Sequence, residues 1–166
     1  VDCGRRMRAR DGAIAHFDQV LNTVLLLAYV ALRQGDSIGV LTFSGERRWL
    51  PPVKGASALQ TILNVVYDLR TSTSPSDFAE AATQLMQRQR RRALVLLISN
   101  VRDEDSDELL PAMRLLATRH LVLLASLRES VLKEGTEERV RDLPSALRVT
   151  AAHRYLADRL RTLDTL

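Results

Sequence analysis

Four short stretches of the chain hold residue types that could do chemistry. Asp2-Cys-Gly-Arg-Arg6 offers a carboxylate, a thiol and two guanidinium groups. Ser74-Pro-Ser-Asp77 offers two hydroxyls and a carboxylate, and Ser99-Asn-Val-Arg-Asp103 a hydroxyl, an amide and a carboxylate. Arg88-Gln-Arg-Arg-Arg92 is a run of cations. An acid, hydroxyls and an amide gathered in one crevice could ligate a hard cation such as Mg²⁺, which takes oxygen donors and keeps several waters. Asp2 could also serve as nucleophile or metal ligand of a hydrolase, with Asp77 or Asp103 as the second carboxylate. Against that reading, no Gly-rich phosphate loop follows any strand. Cys3, His16, His120 and His153 are scattered, with no zinc spacing and no Cys/His catalytic pair. Cys3 therefore reads as a small buried residue and His120 as structural.

Each stretch also has a plainer explanation. Ser74-Pro75-Ser76-Asp77 has the form of a capping box, with Ser74 at the N-cap, Pro75 in the first turn and Asp77 reaching back. The Arg88–Arg92 run suits the last turn of a helix, where cations meet the negative end of the dipole. Asp105 and Glu108 suit a helix start. Trp49 suits an edge strand as a cover for the sheet or as a contact anchor.

The elements that must position these residues follow from the hydrophobic pattern. Residues 13–34 read as a long helix (Phe17, Val20, Leu21, Val24, Ala28), apolar nearly all round and so packed on most sides, with Leu21, Val24, Leu25 and Ala28 toward a sheet. Gly35 stops it. Residues 37–43 form a buried strand, and 46–50 the antiparallel return of a hairpin ended by Pro51-Pro52. Helices follow over 57–69 and 77–92, a strand over 93–98, a helix over 108–119 and a strand over 121–126. Residues 129–166 read as helices broken near Gly135 and Pro144. Doubly apolar strands alternating with helices imply an α/β fold with a mostly parallel sheet and one antiparallel edge strand. Such sheets bind ligands beyond the carboxyl ends of their strands. Asp2, Ser76 and Asn100 all fall at such ends.

Composition narrows the function classes. The chain has 166 residues, 46% hydrophobic and 27% charged, as expected of one folded domain spanning 1–166. Its net charge is +4, yet aromatics are only 4%, too few for base-stacking platforms, so nucleic acid is not an expected partner. The longest apolar run, Val24–Leu32, is too short to span a bilayer. One cysteine suits a reducing compartment, so a cytoplasmic location is expected. The chain opens on Val1-Asp2-Cys3 with no initiating Met, which reads as a piece of a longer protein with most of a first strand and a last strand outside it.

Five stretches together resemble a von Willebrand factor A domain: Asp2-Cys-Gly-Arg-Arg-Met7, residues 25–45 (LLLAYVALRQGDSIGVLTFSG), Ser76-Asp-Phe78, residues 93–104 (ALVLLISNVRDE) and 119–128 (RHLVLLASLR). More narrowly, the chain resembles a bacterial family of unknown function whose members end in such a domain and are often encoded beside MoxR-type AAA+ ATPases. The resemblance implies a Rossmann-like three-layer sandwich. It also implies upstream membrane-spanning helices and a β-rich domain, hence a possible tether to the inner membrane.

The resemblance further implies a metal-ion-dependent adhesion site built from Asp-x-Ser-x-Ser, a Thr and an Asp. Asp2 matches the leading Asp. Gly4 and Arg6 stand where the two Ser belong. Ser76 stands at the Thr position, beside Asp77, and Asn100 at the second Asp. The implied site is degenerate. Any metal would rest on Asp2, Ser76 and Asn100, and Arg6 is expected to approach Asp2 in place of the cation. The expectation is a non-enzymatic interaction module with no cofactor, whose partner is a MoxR-type ATPase or its client. The alternative is the Asp2-based, metal-dependent hydrolase.

Overall fold

The computed structural model describes residues 1–11, 14–127 and 139–164. A short 3-10 helix (Arg5–Arg8) and a small hairpin, β1 (Arg10–Asp11) with β2 (Ile14–Ala15), lead into α1 (His16–Arg33). Then come β3 (Ile38–Leu41), β4 (Trp49–Val53), α2 (Ala58–Val66), α3 (Phe78–Arg88) and β5 (Leu94–Ser99). The chain continues through α4 (Ser106–Ala117), β6 (Leu121–Ser126) and α5 (Leu143–Asp164). It is an α/β protein.

The strands form an antiparallel pair, β3 with β4, and a parallel pair, β5 with β6, in register from Leu94↔Leu121 to Ser99↔Ser126. The first three residues run between the two pairs. Asp2 forms a parallel bridge with Phe43, and its N–H donates to the Ile98 carbonyl at 3.0 Å. The N–H of Cys3 donates to Phe43 O at 2.9 Å, and that of Phe43 to Val1 O at 3.2 Å. β5 therefore neighbours the N-terminal segment.

The core has two parts, and β5 faces both because strand side chains alternate. Leu96 and Ile98 join Phe17, Val20, Val24, Ile62 and Val66 on the α1–α2 side. Val95 and Leu97 join Phe78, Ala82, Leu109 and Leu116 on the α3–α4 side. Helices thus cover both faces of this strand.

Several sequence expectations need correction. α1 is not packed on most sides: Val20, Val24 and Ala28 are buried and Leu21 and Leu25 partly so, but Leu26 is 63% exposed and Leu27, Tyr29 and Val30 are exposed too. Hydrophobicity marks a residue as able to be buried, and only the packing geometry selects which stripe is. β4 does not end at Pro51-Pro52 but runs through them, as an edge strand can. Gly39 permits this pairing, since a Cβ there would lie 2.9 Å from Leu50 O. α3 ends at Arg88, so Arg90, Arg91 and Arg92 lie beyond the helix. Pro144 does not break a helix. It lies in the first turn of α5, where its missing N–H has no helical partner to lose. The Asp142 carboxylate accepts from Ser145 N–H at 2.8 Å while the Ser145 hydroxyl accepts from Asp142 N–H at 3.0 Å, a reciprocal cap. Gly135 lies outside the described residues. Among the described residues no helix is long and apolar enough to cross a membrane.

His120 sits between α4 and β6, 4% exposed, and neither ring nitrogen has a hydrogen-bond partner among the described residues. Burial, with the Arg119 charge second, lowers its pKa below 6.5. The unfolded chain therefore binds a proton that the folded chain resists, and stability must fall as pH drops through the unfolded value. We expect His120→Gln to flatten the slope of unfolding free energy between about pH 7 and 5.5, by at most about 1.4 kcal/mol per pH unit. Urea melts across that range check it.

Candidate functional site

The carboxyl ends of the N-terminal segment and β5 meet at Asp2, which is fully buried. Its carboxylate has three donors. Oδ1 accepts from the Gly4 N–H at 2.8 Å, and Oδ2 accepts from the Ser76 and Ser99 hydroxyls, each at 2.6 Å. Distances this short are typical of hydroxyls bonded to an ionised carboxylate. One side chain thus ties together its own loop, the loop before α3 and the end of β5.

The loops are stitched further by backbone groups. Arg5 N–H donates to Ser74 O at 2.9 Å and Ser72 N–H to Cys3 O at 2.7 Å. The Ser72 hydroxyl donates to Ser44 O, and Asp77 N–H donates to the Ser44 hydroxyl at 3.0 Å. Ser44 has φ 64°, a left-handed conformation uncommon outside glycine. Two glycines allow the close approach. A Cβ on Gly4 would lie 3.0 Å from both Asp2 Oδ1 and Ser76 Oγ, and one on Gly45 3.0 Å from Cys3 Cβ.

The expected site residues divide. Asp2, Gly4 and Ser76 come together. Asp77 stands beside them but acts as the N-cap of α3, accepting from Glu80 N–H at 2.8 Å. The expected capping box is therefore wrong: Ser74 and Pro75 precede the helix, and Asp77 takes the place given to Ser74. Asn100 is fully buried directly after Ser99. Arg6 forms no ion pair with Asp2 among the described residues. Its guanidinium, with the side chain only 12% exposed, pairs with Asp105 and Glu104. Asp105 holds the N-cap position of α4, yet its carboxylate turns back to Arg102 N–H at 2.9 Å and to Arg6. Burial raises the Asp105 pKa, while the Arg102 N–H and the Arg6 charge pull it down. An Arg prefers this pair because it offers two carboxylates, whereas Asp2 is already satisfied.

Ser99 escaped the sequence analysis as a ligand of Asp2. It stands one residue before the position matched to the family's Asp, and only the approach of β5 to the N-terminal segment reveals its role. Cys3 is fully buried, and burial pushes its thiol up to about 11. We expect iodoacetamide at pH about 8 to leave Cys3 unmodified in the folded chain and to alkylate it in urea, since only the thiolate reacts. Intact-mass spectrometry reads this.

The chain belongs to the family described as Protein of unknown function DUF58, whose model matches residues 1–160. No curated protein matches it.

Proposed function

We propose that this chain is a non-enzymatic protein-interaction module of von Willebrand A-like, Rossmann-like architecture. It works through the strand-end face around a degenerate adhesion site, with a MoxR-type AAA+ ATPase or its client as partner. The observation that carries this is the state of Asp2. Its two oxygens already accept from Gly4, Ser76 and Ser99, so the carboxylate organises loops rather than awaiting a substrate or an ion. The donor set does not fit Mg²⁺, which needs several oxygens fixed around an octahedron. Here one carboxylate stands with two hydroxyls that point their protons at it. Among the described residues no group of three or more His, Cys, Asp or Glu is gathered as a metal site. Nor does the pairing of Arg6 with Glu104 and Asp105 favour the hydrolase, because it engages the nearby acids in a structural ion pair.

The test joins two measurements. Titrating Mg²⁺ or Mn²⁺ into the chain by calorimetry should give no micromolar binding. Immobilised chain should capture a purified MoxR-type ATPase loaded with a slowly hydrolysed nucleotide, and Arg5→Glu on the exposed rim should abolish capture. Micromolar Mn²⁺ binding lost in Asp2→Asn would restore the adhesion-site mechanism. Failure to capture in every nucleotide state would remove the partner assignment.

A further inference from the structure

The amino end of β5, at the other end of that strand from Asp2, carries unbalanced positive charge. No Asp or Glu occurs between Glu80 and Asp103, a stretch that holds Arg88, Arg90, Arg91 and Arg92. All four are exposed, and so is Arg119. Two bonds bring them to one place: Leu121 N–H donates to Ala93 O at 3.0 Å, and the Arg119 guanidinium donates to Met86 O at 2.9 Å. The helix dipole accounts for Arg88 alone, because α3 ends there and the other arginines sit on non-helical backbone. None of the five forms an ion pair with a carboxylate among the described residues.

Apolar surface adjoins this charge. Leu94 and Leu121 are register partners and so share a face of the parallel pair, as does Leu123 two residues on. They are 61%, 58% and 49% exposed. Leucines rimmed by unpaired arginines match one kind of surface: anionic headgroups over acyl chains. A polynucleotide would meet the cations but leave the leucines in water. The Trp49 ring already lies under the Arg88 guanidinium, whose carbon is 5.8 Å from its centroid, rather than open for stacking.

We propose that the amino end of the β5–β6 pair is a docking surface for an anionic lipid bilayer. Arginines at 90–92 and 119 supply attraction, and Leu94, Leu121 and Leu123 enter the interface. This places the Asp2 face away from the bilayer.

Co-sedimentation of the full chain with vesicles tests it. Binding is expected to phosphatidylcholine vesicles containing about 30 mol% phosphatidylglycerol at about 0.1 M salt, and release at about 1 M. Vesicles of phosphatidylcholine alone should not bind. Each arginine near the surface contributes about fivefold, so R90Q/R91Q/R92Q should lower partitioning roughly a hundredfold. L121S/L123S should lower it several-fold while leaving the salt dependence unchanged, and R8Q at the opposite end should leave it unaltered. No binding to the anionic vesicles at low salt would overturn the proposal, and that result needs no variant. Equal binding by the triple glutamine variant would do the same. So would duplex DNA binding tighter than the vesicles with no effect of L121S/L123S.

Discussion

Asp2→Ala should lower the unfolding free energy by about 3–5 kcal/mol, the scale for removing one member of a buried charged network. The substitution strands three donors at once: the buried Gly4 N–H and Ser99 hydroxyl, and the part-buried Ser76 hydroxyl. Each unsatisfied buried group costs about 1–3 kcal/mol, and the hydroxyls can recover part of that by turning. The loss should also be structural in kind, because the same carboxylate links the N-terminal segment, the loop at 72–77 and β5. Asp2→Asn keeps the volume and one acceptor oxygen, so about 1–2 kcal/mol is expected. Ser76→Ala and Ser99→Ala should each cost about 1 kcal/mol and should not add to Asp2→Ala, since all three changes break the same bonds. Urea denaturation of the four variants measures this. If Asp2→Ala melts like the parent, the carboxylate is not the keystone of these loops.

Phe78→Ala should cost about 3–5 kcal/mol and lower the melting temperature on the order of 10 °C. Phe78 is the first residue of α3 and is 2% exposed, at the centre of the α3–α4 side of the core. Its ring lies 5.8 Å from that of Phe43, tilted by 59°, which is an attractive edge-inclined geometry. Phe78→Leu, which retains most of the volume, should cost less than half as much. Calorimetry distinguishes the two. Equal losses would mean that ring shape does not matter at this position.

The strand-and-helix order was legible because buried parallel strands announce themselves. The run at 93–98 is apolar on both faces, and helices pack on both faces of β5, whereas the equally apolar β6 leaves Leu121 and Leu123 exposed. The place of Asp2, Gly4 and Ser76 was legible as well, since each lies in a loop leaving a strand or entering a helix. Their neighbours were not. Arg6 looked like a partner for Asp2 because opposite charges stand four residues apart, but Coulomb attraction goes to whichever carboxylate the fold leaves unsatisfied. Ser74 looked like a cap by pattern, yet Asp77 won the position because the Ser44 hydroxyl holds its N–H and sets where the helix starts.

What the sequence determined by itself is the period of each segment and the turn residues. These depend on local sterics and hydrophobic spacing, which act within a few residues. The tertiary structure alone decided which stripe of α1 is buried, that Ser99 reaches Asp2, and that Arg6 turns to Glu104 and Asp105. These are contacts across about a hundred residues of chain. No local preference encodes them, because a hydroxyl or a guanidinium bonds whatever acceptor the assembled sheet brings within reach.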